Sequence, residues 1–120
     1  MYFIDRTAVV LKPTAIFLQW LNQVNGDSLP DLTLAQIRAN CSVFLVPEFD
    51  EPEQAVAYFD ERHHAIFATE LASWEIEESQ WPKDMSLTTF WQFFELEVHD
   101  TVLDLEEGEL QSSSVFDNMR

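Results

Sequence analysis

Glu61 and His64 are the pair whose residue types and spacing most resemble metal ligands. A Glu-x-x-His pair on a helix places both side chains on one face, and Asp60 lies one turn before His64. Di-metal helical bundles use two such pairs with further glutamates, whereas this pair occurs once in the chain. A solvated Glu–His pair is the simpler interpretation, so we expect no metal or other cofactor. A small metal-binding protein or metal-dependent enzyme remains an alternative hypothesis.

Other catalytic patterns are missing from the sequence. The chain has two glycines, Gly26 and Gly108, which excludes a glycine-rich phosphate-binding loop. Its one cysteine, Cys41, excludes an internal disulfide and follows no activating base, so we interpret it as a core thiol. In a chain with so many acidic residues, a pair of carboxylates does not specifically indicate a catalytic site. We therefore expect a binding role rather than catalysis, and we assign no catalytic residues.

Acidic residues outnumber basic ones and are unevenly distributed. The chain of 120 residues has 22 Asp and Glu against six Lys and Arg, a formal net charge of −16. Residues 1–47 contain three acids and three bases, so the entire excess lies in residues 48–120. A strong field of one sign repels nucleic acid and anionic membranes and attracts basic proteins. We therefore expect no direct binding to nucleic acid or to a membrane.

Six residues form the candidate binding surface because they combine clustered acids with an aromatic side chain. They are Glu75, Glu77, Glu78, Trp81, Glu95 and Glu97. On a strand, Glu95 and Glu97 would lie on one face about 7 Å apart. Rows of carboxylates can compete with the closely spaced charges of duplex DNA, and a tryptophan can anchor an arginine-rich partner. We hypothesise a non-enzymatic acidic binding protein, inhibitor-like or DNA-mimicking, whose basic partner is a nuclease or another nucleic-acid-binding protein.

A different interpretation is that the charge serves only solubility. The chain would then be a structural or oligomerising module. Because acidic segments repel one another, we expect any homo-oligomer to form through the neutral residues 1–47.

Hydrophobic periodicity predicts about three strands and four helices. Apolar runs and apolar–acidic alternation predict strands at 7–11, 42–46 and 94–105. Apolar residues at helical spacing predict helices at 14–24, 34–40, 50–74 and 86–93, the third of them breaking near 62–64. The order β-α-α-β-α-α-β predicts one small α+β domain over residues 1–105, followed by a mobile acidic and serine-rich tail at 106–120. A helical crossover would allow the first two strands to pair in parallel.

Three stretches resemble a group of small acidic bacterial proteins that has no assigned activity. They are TAVVLKP, SVFLVPEFDEPEQA and ELASWEIEESQWPKDMSLTTFWQFFELEVHDTVLDL. The resemblance implies a bacterial, single-domain protein and adds no site residues. We expect a cytoplasmic location because the N-terminus lacks a basic segment followed by a long apolar one.

Overall fold

The helices and strands occur in the predicted order. The computed structural model describes residues 1–28 and 30–115. Its elements are β1 (Tyr2–Phe3), β2 (Thr7–Pro13), α1 (Ala15–Asn25), α2 (Leu34–Arg38), β3 (Ser42–Val46), α3 (Pro52–Ser73), α4 (Leu87–Phe93), β4 (Phe94–His99) and β5 (Leu103–Asp104). Apart from the two-residue strands β1 and β5, the order is β-α-α-β-α-α-β, which confirms the predicted α+β class.

The main sheet has the strand order β3-β2-β4, and both pairs are antiparallel. The parallel pairing that a helical crossover would allow for β2 and β3 therefore does not occur. The Asn22 side chain holds Leu32 through two hydrogen bonds of 2.9 and 3.1 Å, joining α1 to the segment before α2. Arg38, at the end of α2, donates to the carbonyl of Pro13 at 2.8 Å. Helices α1 and α2 thus return the chain to the C-terminal end of β2. Because β3 begins at that end, it runs antiparallel to β2.

One face of this sheet carries the helices. Along β2, Val9 and Leu11 are buried, while Val10 and Lys12, which alternate with them, are only partly covered. The helices pack on the buried side through a cluster of aromatic rings whose contacting pairs have centroids 5.3 to 6.4 Å apart. The rings in this cluster are Phe17, Phe67, Phe90, Phe93 and Phe94. The opposite side, here called the open face, exposes alternate residues of β3 and β4 to solvent.

Helix α3 continues from Pro52 to Ser73 without the break predicted near 62–64. Its buried residues Phe59, Phe67 and Leu71 follow one continuous stripe, so packing favours an unbroken helix there. The helix begins where the side-chain oxygen of Gln54 accepts hydrogen bonds of 2.9 Å from the backbone of Asp50 and Glu51.

Strand β4 ends at His99, whereas the sequence predicted a strand reaching residue 105. The pairing between β2 and β4 stops at Ala8 and His99, so the chain has no further partner in this sheet. It resumes as β5, which pairs antiparallel with β1 at the N-terminus. Residues 106–115 are exposed, and residues 116–120 of the predicted tail lie outside the described residues. No helix within the described ranges is long and apolar enough to cross a membrane.

Candidate functional site

A concave surface at one end of the main sheet is the candidate site, and we call it the acidic cleft. Its volume is about 370 Å³, and Asp50, Glu51, His99 and Asp100 are among the residues that line it. Because the central strand β2 pairs with both neighbours, Val46 and His99 lie at the same end of the sheet. The acid-rich segments that follow β3 and β4 therefore meet there.

None of the described residues that line the acidic cleft is a lysine or an arginine. Arg6, which directly precedes the lining residue Thr7, contacts the carboxylate of Asp5 at 2.9 Å. Lys12 and Arg38 lie at the opposite end of β2. Two bases thus lie at one end of the sheet, and carboxylates line the cleft at the other.

Glu97 is linked to the acidic cleft through His99. The two side chains project from the open face, and His99 Nε2 lies 3.1 Å from Glu97 Oε2. This hydrogen bond is the main cause that lowers the pKa of Glu97, with a smaller contribution from the charge of Lys12. Glu97 therefore remains an ionised carboxylate beside the cleft.

Glu95 lies on the same face as Glu97, as predicted from their alternation, but it is already paired. Its Oε1 lies 3.0 Å from Arg38 Nη2 and 3.8 Å from Lys12 Nζ. Since both bases share one carboxylate, Glu95 contributes little net negative charge to the open face. It is a poorer contact for a basic partner than the sequence indicated.

Glu75, Glu77 and Glu78 form an exposed acidic loop between α3 and α4. This loop belongs to the helical side of the molecule, whereas Glu95 and Glu97 project from the open face. Trp81 is half-buried, and its Nε1 donates to the carbonyl of Ile76 at 2.9 Å. The indole thus closes the loop onto the core. The structure does not combine the six predicted residues into one surface.

The Glu61 and His64 side chains are exposed on α3. Glu61 lies 3.4 Å from Arg62, and the carboxylate of Asp60 accepts a 2.7 Å hydrogen bond from the indole of Trp91. Across the described residues, no group of three or more His, Cys, Asp or Glu side chains is arranged to hold a metal ion. The geometry gives no support to the metal hypothesis.

Glu70 is a buried carboxyl group that the sequence analysis missed. It is 6% exposed and lines a second cleft of about 540 Å³ together with Cys41 and Ser42. Its Oε1 has no hydrogen-bond partner among the described residues. Burial raises the pKa of Glu70, and a hydrogen bond with Ser42 opposes this shift. Its position three residues after Phe67 and four before Trp74, on the apolar stripe of α3, was the available signal.

Cys41 is half-buried beside this second cleft. Its Sγ lies 3.5 Å from the carbonyl oxygen of Arg38. Desolvation raises the pKa of Cys41, although the positive charge of Arg38 acts in the opposite direction. A raised pKa keeps the thiol protonated near neutral pH, and a protonated thiol is a poor nucleophile.

The chain matches no protein-family model, no curated protein and no solved structure.

Proposed function

We propose that the protein is a non-enzymatic binding protein whose acidic cleft receives a lysine or arginine side chain of a basic partner. One observation carries this proposal. The cleft joins carboxylates from two segments that are distant in sequence, represented by Asp50 and Asp100, and none of its described lining residues is a lysine or an arginine. A cationic side chain entering the cleft would meet acids from both segments.

The lining of the cleft also suits the rest of such a side chain. Phe49 and Val98 contribute apolar surface beside the carboxylates. Lysine and arginine bury their aliphatic stems against apolar groups while their charged ends reach polar ones. Carboxylates can bind a guanidinium group through two parallel hydrogen bonds, which adds specificity to the attraction. The cleft therefore fits one basic side chain better than a small neutral molecule.

The dipole of α3 does not by itself explain all of the acidic residues in the cleft. Acids near the start of α3, such as Asp50 and Glu51, are favoured by the positive end of the helix dipole. Asp100 belongs to the segment after β4, so it has no such local reason to be acidic. Its presence with Asp50 and Glu51 in one cleft supports a role in binding.

The class of partner follows from the size and sign of the protein's electrostatic field. A net charge of −16 would steer a basic protein toward the acidic end and accelerate association at low salt. Proteins with strongly basic surfaces are commonly those that bind nucleic acid. A nuclease or another nucleic-acid-binding protein in the cytoplasm is therefore the proposed partner, and nucleic acid would compete with this protein for the same surface.

Salt-gradient capture from lysate of the source organism tests this proposal. Tagged wild-type protein is compared with the triple variant Asp50→Asn/Glu97→Gln/Asp100→Asn, and eluted proteins are identified by mass spectrometry. We expect the wild type to retain a basic nucleic-acid-binding protein that elutes at a defined salt concentration. The triple variant should lose most of this retention because two charges of the cleft and the neighbouring charge of Glu97 have been removed.

A second triple variant controls for net charge. Glu75→Gln/Glu77→Gln/Glu78→Gln removes the same number of charges from the acidic loop and leaves the cleft intact. Retention equal to wild type is expected for this variant. Equal losses in both variants would show that only total charge matters, and loss confined to the loop variant would place the partner there instead.

A further inference from the structure

Strand β3 is an outer strand whose open face is apolar and exposed. Val43 is 60% exposed and Leu45 is 48% exposed, and both project from the open face. Within the described ranges, the backbone of β3 pairs with β2 alone. An exposed, apolar edge strand is a template for pairing with another strand, and soluble proteins usually protect such edges with charges or prolines. No charged residue lies in Ser42–Val46.

A shallow concavity of about 400 Å³ adjoins β3 at Leu45, but its lining includes the charged residues Asp5, Arg6 and Asp104. The concavity is therefore mixed in character and is not part of the proposed interface. Exposed apolar surface on a soluble protein commonly marks an interface. We call the outer strand β3, with the exposed side chains of Val43 and Leu45, the β3 edge.

We propose that the β3 edge binds a second copy of this chain. An antiparallel twofold arrangement centred on Phe44 would place Val43 opposite Leu45 of the partner subunit, and Leu45 opposite Val43 of the partner subunit. The two three-stranded sheets would then form one six-stranded sheet. Such an interface is self-complementary, as twofold symmetry requires.

Charge distribution favours a second copy over a basic partner at this surface. β3 lies within the neutral residues 1–47, so two β3 edges can approach without strong repulsion. Glu97 projects from β4, on the far side of β2. Across the six-stranded sheet the two copies of Glu97 would be about 24 Å apart, at about 4.8 Å per strand. That separation exceeds the Debye length of about 8 Å at physiological ionic strength.

Sedimentation equilibrium over a range of protein concentrations tests this proposal. We expect a concentration-dependent monomer–dimer equilibrium for the wild type. Val43→Glu and Leu45→Lys each introduce a charge opposite an apolar side chain, so each variant alone should weaken dimerisation at least tenfold. Mixed in equal amounts, the two should form a heterodimer, because the new carboxylate at position 43 faces the new ammonium group at position 45 of the other subunit.

Ile16→Lys provides the matched control, since Ile16 is 49% exposed on α1 and lies outside the β3 edge. It should dimerise like the wild type, and circular dichroism should show that all variants remain folded. A monomeric wild type at every concentration would overturn the proposal and leave the β3 edge free for a different protein. A dimer unaffected by both β3 substitutions would also overturn it, by placing the interface elsewhere.

Discussion

Glu70 shows how a single carboxyl group can be held in an unfavourable environment. It is buried on the helical side of the sheet, and its Oε1 lacks a partner among the described residues. An unsatisfied buried acceptor destabilises the folded state by about 1–3 kcal/mol. Since burial raises the pKa of Glu70 above its ordinary value, the folded protein holds this proton more readily than the unfolded chain.

Replacing this carboxyl group should stabilise the protein in a pH-dependent way. In the wild type, the raised pKa makes stability fall as pH rises from the ordinary value of 4.5 through the folded-state pKa. We expect Glu70→Gln to remove this dependence and to raise the free energy of unfolding by about 1 kcal/mol at neutral pH. The difference between variant and wild type should shrink as pH falls toward 4.5.

Urea denaturation across this pH range measures the effect. Glu77→Gln, an exposed acid in the acidic loop, is the control and should leave stability nearly unchanged. A Glu70→Gln variant that is less stable than the wild type at neutral pH would show that an additional partner satisfies the carboxylate.

Glu95 and Trp81 show which features of the site the sequence alone could predict and which it could not. Alternation with Phe94 and Leu96 correctly placed Glu95 on the face opposite the core. Its neutralisation by Arg38 joins residues 57 positions apart, and no local pattern encodes such a distance. Trp81 was expected to anchor a partner, but its indole donates a hydrogen bond to Ile76, and this contact depends on how the loop folds back. Residue types indicated which interactions each side chain could make. Only the fold determined which side chains remained available to a partner.

At the scale of elements, local sequence patterns were sufficient to predict the order of the helices and strands. They were insufficient to predict the direction in which the strands run. Apolar spacing identified the four helices, and β-branched runs identified β2 and β3. The sequence left the direction of β3 open, because that direction depends on contacts of Asn22 and Arg38 that return the chain to the end of β2. The acidic cleft was missed for the same reason, since it requires knowing that β2 lies between β3 and β4.

The end of α3 offers a prediction at this scale. Glu75 has a φ of 58°, and the backbone of Glu75 and Ile76 donates to Ala72 and Leu71. These contacts are those of a Schellman motif, in which glycine is favoured at the left-handed position. We expect Glu75→Gly to raise the free energy of unfolding by about 0.5–1 kcal/mol, because it removes left-handed strain and part of that gain is offset by unfolded-state entropy.

Urea denaturation at neutral pH is again the measurement. Glu77→Gly is the matched control, because Glu77 has a φ of −65° and gains nothing from glycine. It should be neutral or slightly destabilising. Destabilisation by Glu75→Gly would mean that the side chain of Glu75 makes a contact that outweighs the backbone strain.

For the whole molecule, the important property is where the net charge of −16 lies in space. Along the sequence the excess begins at residue 48, and in the structure it is also uneven along the main sheet. Lys12 and Arg38 share Glu95 at one end, while Asp50, Glu51 and Asp100 line a cleft at the other. The proposed dimer would form through β3 (Ser42–Val46), which contains no charged residue. A molecule built this way can present acidic sites and associate with itself through separate surfaces.

Titration of ¹⁵N-labelled protein with a short arginine-rich peptide, followed by NMR at physiological salt, tests the central claim most directly. The peptide supplies the proposed chemistry without requiring the natural partner. We predict saturable shifts in the amide signals of residues that line the acidic cleft, including Thr7, Asp50, His99 and Thr101, with small shifts at residues 75–78. Shifts centred on residues 75–78, or spread over all acidic segments in proportion to their charge, would contradict the proposed site.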